Sequence, residues 1–437
     1  MNQLRINFDQ PQVPGHDNAV RHVIARIAAP ATAKARELPP LDLAIVIDAS
    51  GSMSGAPLAA VKRATLQIAR ELPACTRLTI VSFASDVCVH ADGVLLDPMG
   101  REEVHQLIAQ LETRGCTDLH AGWRTGCTLL NSYDDAPSAR RRHVVVLSDG
   151  HANQGVVEPA ELAPESRTYL DRGISTSCVG VGDGYSPDQL AALAEHGGGV
   201  CHDAENAQEI VEVLMGEVLS LAEVVAEHIK LVLEVPEGVT ASELSGMPGT
   251  FDGRLLVVSA GSVRAGVDRA IAVRLEIPAG VADPDGDLTV VGHLTWRDPG
   301  SPERNVGPRV RANACRSHDI ALPPTLEDAR TVLLAWQAHL VSVVTSRNRD
   351  GDFAGLKRFW DEQLEPFTAY ANLQPQTRDF ARTVARMRQR AEQPMPERQR
   401  KQALDLAVKS ARQADVYYCM DKGGVEEQFL PDDSTDL

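Results

Sequence analysis

The run Leu43-Ala44-Ile45-Val46-Ile47 is apolar at every position, the pattern of a strand covered on both faces. Pro57 then opens a helical pattern carrying Leu58, Val61, Leu66 and Ile68. Proline fits a first helical turn, where its missing N–H would have no partner anyway. Residues 78–83 read as the next strand, 87–89 as a short one at an edge, and 104–111 and 119–130 as helices. His143-Val144-Val145-Val146-Leu147 is a second fully covered strand. A helix over 159–172, a strand over 174–179, a helix over 187–195, a short strand over 200–202 and a helix over 207–221 complete the series. Strands alternating with helices over 41–222 predict an α/β unit. It is a doubly wound, mostly parallel, Rossmann-like sheet with helices on both faces. In such a sheet ligands bind at the carboxyl ends of the strands.

Beyond residue 222 the period falls to two: Ile229, Leu231, Leu233 and Val235, then Ile271, Val273, Leu275 and Ile277, then a strand over 288–296. Turns rich in proline and glycine separate these runs, as in a β-sandwich. The N-terminus has the same habit, with Leu4, Ile6 and Phe8 alternating and 22–28 strand-like. These early strands are expected to pair with strands of the region 222–322, so the α/β unit sits inserted in or next to the sandwich. From Thr325 the pattern is helical again. Thr325 reads as an N-cap followed by Glu327 and Asp328 in the first turn. Leu333, Trp336, Leu340 and Val344 follow, then Leu356, Phe359, Trp360 and Leu364, then Phe380, Val384 and Met387, then Leu404, Ala407 and Ala411. The aromatic stripe reads as core. The expected division is 1–38 (N-terminal strands of the sandwich), 39–224 (α/β unit), 225–322 (sandwich), 323–421 (helical C-terminal region) and 422–437 (acidic flexible tail).

Composition narrows the partners. A formal charge of −17 repels nucleic-acid phosphates and anionic membranes. No run approaches the ~20 apolar residues of a membrane span, and no signal-peptide core follows the first residues, so the chain reads as cytoplasmic. The eight cysteines contain no Cys-x-x-Cys pair and sit mostly in apolar segments; reduced, mostly buried thiols are expected, and a zinc site is not.

Asp48-Ala49-Ser50-Gly51-Ser52 directly follows the first covered strand. One carboxylate and two hydroxyls are hard oxygen donors that suit a small divalent cation. Thr117 and Asp118 precede a helix, and Asp149-Gly150 follows the strand 144–147; all three segments project at one edge of the sheet. The stretch 42–53, the Gly-Cys-Thr-Asp-Leu around Thr117 and the Leu-Ser-Asp-Gly ending at Gly150 resemble the von Willebrand factor A (VWA) family, in the bacterial and calcium-activated-chloride-channel-like manner. The resemblance implies an intact metal-ion-dependent adhesion site. By motif position, Ser50 and Ser52 bind the cation directly, while Asp48, Thr117 and Asp149 complete the inner and second shells. The cation is expected to be magnesium, with manganese or calcium as alternatives, and an open position takes an Asp or Glu carboxylate from a partner protein. Cys116 stands where many relatives have glycine, which changes the loop and removes no ligand. Asp48→Ala is expected to abolish metal binding with little loss of fold, the loop lying at the surface.

Two function classes follow. The first is a metal-dependent protein–protein interaction module, a regulatory or scaffold subunit whose partner belongs among ATPases, kinases, phosphatases or proteases of the same system. The second is a metal-assisted hydrolase or phosphoryl-transfer enzyme. The second lacks its parts: there is no phosphate loop, no nucleophile elbow and no second acid cluster. The chain is therefore read as non-enzymatic, with no catalytic residues. Gly180-Val181-Gly182-Asp183-Gly184 fails the dinucleotide spacing because Tyr185 stands where the third glycine belongs. Arg140, Arg141 and Arg142 read as a solvated lead into a strand, and His151 and Asp183 as structural residues near the metal face.

Overall fold

The computed structural model describes residues 3–14, 17–29, 40–133, 140–149, 154–182, 185–204, 206–221, 224–281, 287–299, 301, 303–317, 322–396, 399–400, 403–404 and 407. The acidic segment 422–437, Ala411, Gly150, His151, Asp183 and Gly184 lie outside the described residues.

Three strands come first: β1 (Gln3–Phe8), β2 (Gln12–Pro14) and β3 (Ala19–Ala28). The α/β series then runs β4 (Leu41–Asp48), a 3-10 turn at Gly51–Met53, α1 (Ala56–Glu71), β5 (Arg77–Phe83), β6 (Val87–Leu95), α2 (Pro98–Ala109) and α3 (Leu119–Ser132). It continues with β7 (Arg141–Ser148), α4 (Pro159–Asp171), β8 (Ile174–Val181), α5 (Pro187–His196), β9 (Gly198–Ala204) and α6 (Ala207–Leu221). The six strands form one sheet in the order β6-β5-β4-β7-β8-β9, parallel except for β6. Side chains alternate between its faces. Leu43, Ile45 and Ile47 pack with α1, α2 and α6, while Ala44 and Val46 pack with α3, α4 and α5. α3 comes close enough that a Cβ on Gly122 would stand 2.5 Å from the Phe83 ring, so only glycine fits there.

The edge strand is longer than 87–89. Its pairing with β5 carries on past His90 and Asp92, polar positions that an edge strand can leave partly exposed. The arginines at 140–142 are engaged rather than solvated. Arg140 Nε donates to Asp42 Oδ1 at 2.6 Å, Arg141 Nε to Glu227 Oε1 at 2.7 Å, and an Arg142 Nη2 proton goes to the Tyr133 carbonyl at 2.8 Å. Asp42 is buried on β4 and also holds Arg77, so the arginines answer charges that the fold has taken from water.

One charged side chain enters the apolar face under α6. Glu217 Oε1 accepts from Ser177 Oγ at 2.5 Å and its Oε2 meets His202 Nε2 at 2.9 Å; His143 Nε2 lies 3.7 Å from Oε1. These partners come from β8, β9 and β7, so one helical side chain ties down three strands.

The chain then returns to strands: β10 (Val224–Glu234), β11 (Thr240–Glu243), β12 (Gly249–Phe251), β13 (Leu255–Arg264), β14 (Arg269–Ile277), β15 (Asp287–Arg297), β16 (Arg304–Val306) and β17 (Val310–Ser317). A four-stranded sheet has the order β1-β3-β14-β11. A seven-stranded sheet runs β12-β13-β10-β15-β17-β2, with β16 on β15. β3 pairs with β14 from Ala19 opposite Ile277 to Ile27 opposite Arg269. The strands before the α/β unit are thus hydrogen-bonded to a strand that follows it. Leu4, Ile6, Val23, Ile27, Val273 and Leu275 from the first sheet meet Leu231, Leu233, Val258 and Val290 from the second in one core.

Helices α7 (Leu326–Arg349), α8 (Phe353–Ala371) and α9 (Arg378–Ala391) cover the outer face of the four-stranded sheet, burying Ile24, Ala270 and Ala272 beneath Trp336, Trp360 and Phe367. Thr325 caps α7, its Oγ1 accepting the Asp328 N–H at 3.1 Å. The aromatic stripe is core, as the helical spacing implies. Residues 403–404 and 407 are helical. Among the described residues no helix is long and apolar enough to cross a membrane.

The seven described cysteines are free, but the expectation that most are buried is corrected. Cys127 and Cys178 are buried, whereas Cys75, Cys116 and Cys315 are exposed. Cys315 falls on an outward position of β17, and Cys75 and Cys116 stand in loops, so apolar neighbours in sequence did not bring them inside.

Candidate metal centre

β4 ends on Asp48, whose side chain is fully buried. This corrects the expectation of a surface loop. The strand delivers the carboxylate into the sheet edge, and only the residues after it emerge. Asp48 Oδ1 accepts the Ser50 N–H at 2.8 Å, and Oδ2 accepts the Ser148 hydroxyl at 2.7 Å. Ala49 N–H continues the ladder to the Phe83 carbonyl at 2.8 Å. The chain then folds into the 3-10 turn, with Met53 N–H donating to the Ser50 carbonyl at 3.1 Å and Met53 buried as its anchor. That turn brings the Ser50 and Ser52 hydroxyl oxygens to 3.0 Å from each other. Ser52 Oγ donates to Asp149 Oδ1 at 2.8 Å. Four of the five expected residues therefore share one hydrogen-bonded chain drawn from two strand ends.

Thr117, the fifth, arrives on the neighbouring loop. Arg114 N–H donates to the Ala49 carbonyl at 2.5 Å, and Gly51 N–H to the Gly115 carbonyl at 3.4 Å. Gly115 has φ +24°, and a Cβ there would lie 2.2 Å from Ser85 Oγ, so this crossing needs glycine. Ser85 Oγ accepts the Cys116 N–H at 2.8 Å, and Asp118 N–H donates to the Ala84 carbonyl at 3.0 Å. Thr117 is buried between these anchors. It is not the cap of α3. Asp118 is, its Oδ1 accepting the Ala121 N–H at 3.0 Å.

The electrostatics fit a cation. Burial pushes the Asp48 carboxyl up from its ordinary range, against the pull of Ser148 and Ser50. Burial also raises Asp149; Ser52 pulls it down, and the Asp48 charge pushes it further up. Two carboxylates short of water and repelling each other are relieved by a positive ion between oxygen donors. Among the described residues no group of three or more His, Cys, Asp or Glu could hold a metal, so a site here depends on the serine and threonine hydroxyls. Hydroxyls and carboxylates are hard donors that favour magnesium, calcium or manganese over softer ions.

At the end of β8 the Tyr185 ring packs on Gly180, and its hydroxyl donates to Asp203 Oδ1 at 2.8 Å. Ser148 and Ser85 are the contacts that sequence reasoning missed. Ser148 stood inside the quoted Leu-Ser-Asp-Gly motif, but only the fold shows which way its hydroxyl points.

Comparison with known proteins agrees with this architecture. A family model described as von Willebrand factor type A domain matches residues 41–203. Inter-alpha-trypsin inhibitor heavy chain H3 of Rattus norvegicus is 25% identical over 234 residues, 52% of this chain and 26% of that protein. The Homo sapiens heavy chain H3 is 27% identical over 164 residues, 36% of this chain and 18% of that protein. The uncharacterized protein YfbK of Escherichia coli is 25% identical over 207 residues, 46% of this chain and 35% of its own. The matches thus span a fifth to a third of these relatives. Among solved structures, a von Willebrand factor type A protein from Catenulispora acidiphila superimposes with a TM-score of 0.66 at 18% identity, covering 94% of this chain and 96% of that one. The ArnB paralog VWA2 from Sulfolobus acidocaldarius reaches a TM-score of 0.53 at 15% identity, covering 94% and 98%. The fold is therefore similar to these structures across nearly the whole chain, and residues 41–203 match the model described as von Willebrand factor type A domain.

Proposed function

We propose that the chain is a metal-dependent protein-interaction module. One divalent cation, magnesium in a cytosol, is held by Asp48, Ser50, Ser52, Thr117 and Asp149 and presented to an Asp or Glu of a partner protein. The observation that carries this reading is the chain Ser50–Ser52–Asp149 beside the buried Asp48, an oxygen-lined edge whose two carboxylates repel each other. When bound, the cation supplies a Lewis-acidic position for an incoming carboxylate. The protein's own part is to hold the donors. β4 fixes Asp48, the 3-10 turn pairs the serines, and the loop anchored on Ser85 presents Thr117.

The net charge of −17 adds selectivity, since an acidic partner is repelled from most of the surface and gains only where a cation stands. The reading extends to a regulatory or scaffold subunit of a bacterial cytoplasmic complex, without catalysis of its own. A pull-down in magnesium, repeated in EDTA and with Ser50→Ala/Ser52→Ala, tests it. A partner lost in EDTA, restored by magnesium and lost again in the double variant is the expected result. A complex that forms undiminished in all conditions removes the metal from the interaction.

A further inference from the structure

We propose that Ser148, which is not among the five residues assigned to the cation, is a positioning residue for the metal: its hydroxyl fixes the plane of the Asp48 carboxylate. The inference rests on the metal reading of this edge and deepens it.

A carboxylate on a short side chain turns easily about its last torsion, because an sp³–sp² bond has broad, shallow wells. Asp48 is denied that freedom at both oxygens. Oδ1 is held by the backbone N–H of Ser50, and Oδ2 by Ser148 Oγ. Neither contact is open to water, since Asp48 and Ser148 are fully buried. The Ser148 hydroxyl gives its one proton to Asp48, so its orientation is set as well.

Placement gives this bond its effect on the site. Ser148 is the last residue of β7 and directly precedes Asp149, which takes the Ser52 hydroxyl. Consecutive residues at the end of β7 therefore grip the end of β4 and the turn after it at two points. Ser148 holds the buried carboxylate, and Asp149 holds the exposed serine. Without the Ser148 hydroxyl, Oδ2 would be a buried acceptor lacking that donor, and the carboxylate would turn to find another. The Ser50 N–H on Oδ1 would be strained with it, and Ser50 is a residue assigned to the cation.

The test is magnesium titration calorimetry on the full chain, with Ser148→Thr and Ser148→Val compared directly. The two side chains share a shape and differ by the hydroxyl, so any crowding from the added methyl is common to both. Melting in EDTA is recorded for each as a metal-free measure of the fold. Ser148→Val is expected to bind magnesium roughly 10–100-fold more weakly, the usual effect of losing an outer hydrogen bond to a metal-site ligand. Ser148→Thr is expected to bind like the natural protein. Equal losses in both variants, or full affinity in Ser148→Val, overturn the positioning role. The Ser50→Ala/Ser52→Ala variant separates the two ideas. If it loses magnesium while Ser148→Val keeps it, the metal site stands and the role of Ser148 falls. If the natural protein itself takes up no magnesium, both fall together.

Discussion

Replacing Glu217 by glutamine keeps the shape of the side chain and removes its charge from the apolar face under α6. Burial alone would raise this carboxyl; the hydrogen bond and charge of His202, the charge of His143 and the Ser177 hydroxyl outweigh it and bring the group down to about 2 from 4.5. At neutral pH, where burial keeps His143 uncharged, what glutamine loses is the charge-assisted part of the bonds to Ser177 and His202, on the order of 1.5–3 kcal/mol. A pKa lowered on folding gives stability that is full above the unfolded value and is lost as pH falls from 4.5 towards 2. His143 acts earlier in an acid titration. Burial holds its imidazole down to about 4 from 6.5, so between those values the unfolded chain takes up a proton that the folded chain refuses. Stability therefore drops in two overlapping steps on acidification, and Glu217→Gln removes the second.

Hydrogen exchange of the α6 and β9 amides reads this locally, which suits a chain with several cores. The expected result is a fall of roughly 1.5–3 kcal/mol in the free energy of opening at pH 7. The variant should also lose the dependence between pH 4.5 and 2 that the natural protein shows. A change below about 0.5 kcal/mol, the range of an inconsequential surface substitution, would refute the reasoning. So would a loss that stays undiminished at pH 2, because the charge would then not be its source.

Two further outcomes follow from the same structure. Asp48→Ala is expected to abolish magnesium uptake and also to lower stability by about 1–3 kcal/mol, since the Ser50 N–H and the Ser148 hydroxyl lose a buried acceptor; a variant as stable as the natural protein in denaturant would contradict the burial of this carboxylate. Deleting the first ~30 residues removes β1, β2 and β3, which leaves β14 without its β3 partner and takes Ile24 from beneath the helices, so exchange protection should fall in β14 and α7 together; unchanged protection in both would count against the pairing.

The α/β series was legible because covered strands such as 43–47 and 143–147 carry unbroken apolar runs, and the amphipathic helices between them keep a clean period. The period of two at Leu4, Ile6 and Phe8 likewise marked strands of a half-covered sheet. β2, β11, β12, β13, β16 and β17 were missed: the three- or four-residue strands cannot show a period, β13 opens on the unbroken apolar run 255–258, and β17 has only alanine at its buried positions 312 and 314. That Asp48, Ser50, Ser52 and Asp149 meet was legible from loop position, since β4 and β7 are neighbouring parallel strands that end at one edge. Burial of Asp48 was not, because a motif does not say whether its first residue still belongs to the strand. The arginine run misled for a related reason: solvation depends on what lies opposite, and Asp42 and Glu227 are distant in sequence or on other elements.

The pairing of β3 with β14 also sets an order of assembly. Ile27 and its partner Arg269 are 242 residues apart, so the four-stranded sheet cannot close until the ribosome has delivered β14. At about 5–20 residues per second that interval is roughly 10–50 s, far longer than hydrophobic collapse or helix formation takes. The α/β unit is complete well before then and can fold while β1 and β3 still present Leu4, Ile6, Val23 and Ile27 to solvent. Its folding also brings nearer together the ends of the intervening loop, whose closure as a free chain would cost about (3/2)RT ln n. The inserted unit thus acts as a template for the sandwich that surrounds its ends. A lesion in its core should appear first as aggregation through the unpaired β3 edge.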